Sequence, residues 1–209
     1  MIFFWYLGAA IIGYLLGNIN TAAIISRLKG FDIRNKGSGN AGASNALITM
    51  GKGAAACTTV VDMSKAFFPV FAILHWITKA KTIPCLAVFT GCMVILGHIF
   101  PFWMDFRGGK GFASLLGMSA ALDWRLFVAF LVIVVFWLVT TKYIALATIT
   151  CAAIFPVYRL IMTHSVCEFV MLLLLFAVIF WKHIPNLKRM KSGSELGIED
   201  VKAMRNERE

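Results

Sequence analysis

The sequence predicts an all-α polytopic membrane protein with about seven transmembrane helices, its N-terminus outside and its C-terminus cytoplasmic. Three observations carry that prediction. Of 209 residues, 60% are hydrophobic and only 14% charged, and the mean hydropathy of +0.81 is far from that of water-soluble domains. The apolar residues fall into stretches of span length, and at roughly 20 to 25 residues per span and connection the chain accommodates about seven helices in one bundle. Lysine and arginine collect in alternate loops, as the positive-inside rule requires.

Met1 to Ser26 reads as the first span, and as a retained one, since no basic segment precedes it and no small-residue cleavage site follows. Phe3, Phe4, Trp5 and Tyr6 anchor one interface, and Arg27 and Lys29 the other. Asn18, Asn20 and Thr21 suit hydrogen bonds to neighbouring helices. A polar loop from Gly30 to Gly53 follows. The second span, Ala54 to Trp76, carries Asp62 and Lys65 on one face; charges in hydrocarbon are costly, so these two are expected to pair or to face a polar cavity. Lys79 and Lys81 mark a short loop before the third span, Ile83 to about Phe100.

Phe112 to Leu122 is the fourth apolar run, and a tight turn at Asp123, Trp124 and Arg125 leads to the fifth, Leu126 to Thr141. The sixth, Ile144 to about Met162, is expected to break near Pro156. Val166 to Trp181 is the seventh, after which the chain is expected to leave the membrane. Residues 1–195 then form a single membrane domain and 196–209 a charged cytoplasmic tail. Cys57, Cys85, Cys92, Cys151 and Cys167 are scattered through apolar segments without a CxxC pair, which argues for packing and against a zinc site or disulfide framework.

A net charge of +10 invites nucleic acid as a partner. The spans exclude that class, and membrane headgroups or phosphorylated substrates account for the charge better. Alternating the seven spans puts fifteen of the twenty basic residues on one side: those of the Arg27 to Lys52 loop, Arg107 and Lys110, Lys142, and those of the C-terminal segment.

Three polar constellations fall on that same face. The first, Gly37 to Asn45, holds three glycines, two serines and two asparagines in nine residues, just after Arg34 and Lys36. Glycines let backbone N–H groups converge on an anion, hydroxyls and amides add neutral donors, and a helix starting near Ala43 aims its positive end at the bound group. The bland alternative is a flexible loop between spans. In the second, Gly97-His98-Ile-Phe-Pro101 runs on to Gly108-Gly-Lys-Gly111, a glycine-rich loop feeding a helix N-terminus with a lysine able to reach a phosphate. It is no Walker loop, since GxxxxGK[ST] and a preceding strand are both missing. The third is His183-Ile-Pro-Asn186-Leu-Lys-Arg189 continuing to Gly193-Ser-Glu195.

In this order and spacing, over essentially the whole chain, the three motifs resemble the bacterial glycerol-3-phosphate acyltransferases that use acyl-phosphate as donor, the PlsY family. The resemblance implies transfer of a fatty acyl group from acyl-phosphate to the 1-hydroxyl of sn-glycerol 3-phosphate, giving lysophosphatidate and phosphate in phospholipid biosynthesis. Ser38, Lys110, His183 and Asn186 are then the expected catalytic residues. Gly37, Gly39, Asn40, Gly42, Ser44, Asn45, His98, Gly108, Gly109, Gly111, Arg189 and Glu195 are the expected substrate-binding ones. Both substrates are phosphates, and the donor's own phosphate can take the proton of the attacking hydroxyl, so no Ser-His-Asp triad is needed. No carboxylate cluster with metal-ligand spacing lies at this face, so no metal or other cofactor is expected.

The chain departs from the family pattern at two usually polar positions. Ile48 stands where an arginine is usual and Ala145 where a serine is usual; Ala41 and Ser44 replace a proline and a threonine more conservatively. Arg34, Lys52 and Lys65 are the cations available to compensate. A diverged paralogue acting on another phosphorylated acceptor is therefore one competing reading. A small transporter or anion-binding membrane protein is another, although the polar clusters lie at one interface rather than at the midplane.

Overall fold

A computed structural model describes residues 1–197, and the expected tail from residue 198 onward lies outside the described residues. Among the described residues the regular structure is entirely helical: α1 (Ile2–Gly17), α2 (Thr21–Leu28), α3 (Ala43–Met50), α4 (Lys52–His75), α5 (Leu86–Ile99), α6 (Phe112–Leu122), α7 (Trp124–Thr140), α8 (Ile144–Thr163) and α9 (Val166–Lys191). Among the described residues five stretches are long and apolar enough to cross a bilayer: Ile2–Leu28, Lys52–His75, Leu86–Met104, Ile144–Thr163 and Val166–Lys191. Two shorter apolar helices, α6 and α7, complete the bundle. At 11 residues α6 is about 16 Å long, only half the hydrocarbon thickness.

The first span is not the continuous helix the sequence suggests. Asn20 adopts an extended backbone and its side-chain oxygen accepts from Ala23 N at 2.9 Å, capping α2 and ending the run of helix at Gly17. The break leaves the carbonyls of Asn18 and Ile19 available to other partners, and both are used. Trp103 Nε1 donates to Asn18 O at 2.8 Å and Lys65 Nζ to Ile19 O at 2.7 Å.

Two prolines also behave differently from expectation. Pro156 sits inside a continuous α8, and Pro185 inside α9, which runs without interruption to Lys191 instead of ending near Trp181. Neighbouring helices and local adjustments satisfy the backbone groups a proline frees, so such residues are tolerated in membrane bundles. The consequence for α9 is positional: His183, Asn186 and Arg189, spaced three apart, share one face.

Lipid tails are as apolar as leucine, so the bundle is held by close packing more than by burial. Helices α1 and α5 approach until their backbones touch: a Cβ on Gly17 would lie 2.1 Å from Val94 O, and one on Gly97 2.2 Å from Tyr14 O. The interior is filled by Ile95, Ile99, Leu115, Met118 and Ile179, with Phe130 and Phe155 packed edge to face at 5.7 Å. Phe3, Phe4, Val132, Val135, Val139 and Leu174 stay exposed on the perimeter, as lipid-facing residues do. A second, smaller cluster of Ala22, Ala23, Ile33, Ala41, Ala46 and Met104 underlies the loop that follows α2.

Candidate active site

The loop after α2 is held from beneath by one amide. Asn45, fully buried in the first turn of α3, accepts from Ser38 N at 2.9 Å and donates to Ile33 O at 3.0 Å and Lys36 O at 2.9 Å. Both amide donors and one lone pair of Oδ1 are thus engaged by the loop's backbone, which makes Asn45 a support of the loop. Helix α3 does begin at Ala43, with Gly42 as its N-cap, so its unpaired N–H groups lie beside Ser38 and Asn40.

Arg34 ties this loop to the next. Its guanidinium grips Asp32 with Nη2 to Oδ2 at 2.8 Å and reaches Met104 O at 2.7 Å and Asp105 Oδ2 at 3.2 Å. Hydrogen bonding from Arg34 holds the Asp32 carboxyl below the usual carboxylate range.

The second loop folds back on the end of α5. Gly108 N donates to Ile99 O at 3.0 Å and Gly109 N to His98 O at 3.1 Å, so the backbone at the end of α5 fastens this loop. Gly109 is pressed onto the imidazole as well: a Cβ there would lie 2.0 Å from His98 Nε2. Below that contact, Asp62, Lys65 and His98 form a buried cluster, with Lys65 Nζ 2.6 Å from Asp62 Oδ1 and 2.8 Å from His98 Nδ1. The expected pairing of Asp62 with Lys65 is present, with His98 as a third member.

Lys110 points across to α9, where its ammonium donates to Asn186 Oδ1. The same amide donates through Nδ2 to Glu195 Oε1 at 2.5 Å, and Glu195 Oε2 accepts from Arg189 Nε at 2.7 Å. The result is a continuous chain from Lys110 through Asn186 and Glu195 to Arg189. Burial pushes the Lys110 ammonium down to about 8, the Arg189 charge adds to that, and Glu195 opposes it. Buried His183 donates through Nδ1 to Ile179 O at 2.8 Å, which in the uncharged ring leaves Nε2 as an acceptor.

Two cavities meet on these residues. One, of about 630 Å³, is ringed by the charged groups of Arg34, Arg107, Lys182 and Arg189, with Asp32 and Asp105 paired to Arg34 among them. The other, of about 360 Å³, is walled by Leu47, Ile48, Phe112, Leu116, Val134 and Ile144. Ser38, Asn40 and Lys110 line both. Gly39, Gly108 and Arg189 line the charge-ringed cavity, and Gly42, Ser44, His98, Gly111, His183, Asn186 and Glu195 the apolar one. Gly37, Asn45 and Gly109 line neither: they support the loops from behind.

Sequence reasoning missed the Arg34 bracket, whose signal was Asp32 two positions earlier. It also missed Arg107 and Lys182 on the polar rim and Lys142 at the apolar cavity. Ile48 and Ala145, the two departures from the family pattern, line that apolar cavity. Of the cations expected to compensate, Arg34 reaches the charge-ringed cavity, Lys65 is held in the buried cluster, and Lys52 lines neither cavity. Among the described residues no group of three His, Cys, Asp or Glu is placed to hold a metal ion.

Comparison with known proteins bears on this arrangement. The family model described as glycerol-3-phosphate acyltransferase matches residues 7–193. The glycerol-3-phosphate acyltransferase of Shouchella clausii is 34% identical over 194 residues, covering 90% of this chain and 94% of that protein. That of Rhodopseudomonas palustris is 37% identical over 204 residues, covering 94% and 98%. Among solved structures, PlsY (YgiH), an integral membrane glycerol 3-phosphate acyltransferase, superposes in its glycerol 3-phosphate form with a TM-score of 0.86 at 29% identity, covering 95% of this chain and 98% of that one. Its lysophosphatidic acid form gives 0.82 at 28% identity, covering 94% and 96%.

Proposed function

The chain belongs to the glycerol-3-phosphate acyltransferase family, and on that premise we propose that it moves a fatty acyl group from acyl-phosphate to the 1-hydroxyl of sn-glycerol 3-phosphate. The products are lysophosphatidate and inorganic phosphate. One observation carries the reading: a cation-ringed cavity and an apolar cavity share Ser38, Asn40 and Lys110, so a water-soluble phosphate and a lipid chain have a common meeting point.

The geometry supports a role for each residue in this reaction. Ser38, Asn40 and the start of α3 receive the phosphate of the acyl donor, whose chain lies against Leu47, Phe112 and Leu116. Lys110 and Arg189 neutralise the acceptor's phosphate, with Asn186 and Glu195 fixing where those cations stand. Nε2 of His183 accepts a hydrogen bond from the acceptor hydroxyl and orients it. The hydroxyl oxygen bonds to the acyl carbon, the bond from that carbon to the phosphate oxygen breaks, and the departing phosphate takes the proton. Preorganised donors and cations around the reacting atoms supply the stabilisation.

The basic loops favour an N-terminus outside the cell membrane and a cytoplasmic active face and C-terminus, with both short helices counted to give seven crossings. Residues 1–195 act as one domain in contact with membrane lipids.

The test is phosphate release by purified protein in lipid given palmitoyl-phosphate, with and without glycerol 3-phosphate, beside a Lys110→Ala control. Acceptor-dependent release yielding lysophosphatidate, lost in the control, supports the reaction. Transfer only to another phosphorylated acceptor indicates a diverged paralogue, and silence from folded protein removes the reaction in favour of binding or transport.

A further inference from the structure

The buried cluster beneath the second loop is not used by the reaction as described so far. Asp62, Lys65 and His98 are 2%, 7% and 3% exposed, and Asp62 and His98 both contribute to the wall of the apolar cavity. An ammonium has three N–H donors and no acceptor. Lys65 Nζ has three neighbours at hydrogen-bond distance: Ile19 O at 2.7 Å, Asp62 Oδ1 at 2.6 Å and His98 Nδ1 at 2.8 Å. Each therefore takes one proton, and His98 Nδ1 must offer its lone pair. The competing arrangement, with Nδ1 protonated and donating to Asp62, is disfavoured by the 3.6 Å separation of those atoms.

With Nδ1 bare, the ring carries its proton on Nε2. That nitrogen lies against Gly109, in the space a side chain there would fill, on a ring that lines the apolar cavity, and makes no hydrogen bond among the described residues. We infer that Lys65 is a positioning residue for the acyl transfer: it holds His98 in the Nε2–H tautomer, and that N–H donates to the carbonyl oxygen of the acyl group. The inference rests on the reaction proposed above. A phosphate calls for the cations at the cavity mouths, Lys110 and Arg189, whereas a lone uncharged donor in an apolar wall suits a carbonyl oxygen that gains charge only as the acceptor attacks. Asp62 keeps the ammonium paired, and the break between α1 and α2 supplies its third acceptor at Ile19.

The experiment begins with ¹⁵N-histidine NMR of the full chain in lipid, the His98 signals assigned by difference against His98→Gln. A bare Nδ1 and a protonated Nε2 are expected; a proton on Nδ1, or on both nitrogens, overturns the inference with no variant of Lys65 required. The paired variant Asp62→Asn with Lys65→Met then removes both charges together, so that no unpaired carboxylate remains in the span. It is expected to give mixed His98 tautomers and a kcat lower by about tenfold to hundredfold, with KM for glycerol 3-phosphate changed less than about twofold. An unchanged kcat beside mixed tautomers, or an unmixed tautomer, overturns the role of Lys65. Wild-type protein inactive on palmitoyl-phosphate and glycerol 3-phosphate overturns the reaction itself, and with it the carbonyl contact, whatever the tautomer.

Discussion

Lys110, in the glycine-rich loop, and Asn186, 76 positions further on in α9, are joined by a direct hydrogen bond from ammonium to side-chain amide oxygen. This bond closes the glycine-rich loop onto the end of α9, in a setting where burial has brought the lysine down to about 8. Lys110 is therefore cationic below about pH 8 and loses its charge above it. Because kcat/KM reports the free enzyme, its value for glycerol 3-phosphate is expected to fall by about tenfold per unit as pH rises beyond that point. Lys110→Arg, which stays protonated, removes this alkaline limb whatever its residual activity. A limb at the ordinary lysine value, measured between pH 6.5 and 10.5 in one lipid system, would contradict the burial.

Glu195 acts on the same titration from the other direction. Its carboxylate favours the charged form of Lys110 and also holds Arg189 and Asn186. Glu195→Gln is expected to shift the alkaline limb toward lower pH and to raise KM for glycerol 3-phosphate by roughly tenfold, the loss of one charge-assisted hydrogen bond at the Arg189 cation. A limb that stays in place would show that Glu195 does not reach Lys110 electrostatically.

The close crossing of α1 and α5 makes a prediction about stability alone. Gly17→Ala sets a methyl 2.1 Å from Val94 O, so the backbones must separate, at a cost of about 1–3 kcal/mol. Gly8→Ala is the control, since nothing lies within 4 Å of a Cβ there. Thermal unfolding in one detergent is expected to show a lower midpoint for the first and an unchanged or higher one for the second.

Arg34 makes a prediction about the loop rather than the chemistry. Lysine cannot grip Asp32 with two nitrogens while also reaching Met104 O, so Arg34→Lys is expected to weaken the anchor by about 1 kcal/mol. Limited proteolysis between residues 34 and 42 reads that change as faster cleavage, and equal rates for wild type and variant would refute it.

The sequence was legible wherever one physical rule dominated. Hydropathy located the apolar helices, and glycine density beside cations located the loops that meet at Ser38 and Lys110. Even the start of α3 at Ala43 followed from the glycines before it. It was illegible where a local signal had two meanings. Lys182 and His183 read as an exit from the membrane, yet on a continuous α9 they turn toward the cavities, and Pro185 does not end the helix. Asn20 read as a polar residue within a span, while its side chain caps a new helix. Asn45 read as a ligand contact because its type suits one, and only three-dimensional contacts reveal that loop backbone occupies it.

The sharing of Ser38, Asn40 and Lys110 by two unlike cavities has a kinetic meaning. A donor that enters through the apolar side is counted by its mole fraction in the bilayer, and an acceptor that enters through the polar side by its molarity in water. Adding inert phospholipid at constant total donor will therefore slow turnover by surface dilution, while enlarging the aqueous volume at constant acceptor molarity will leave it unchanged.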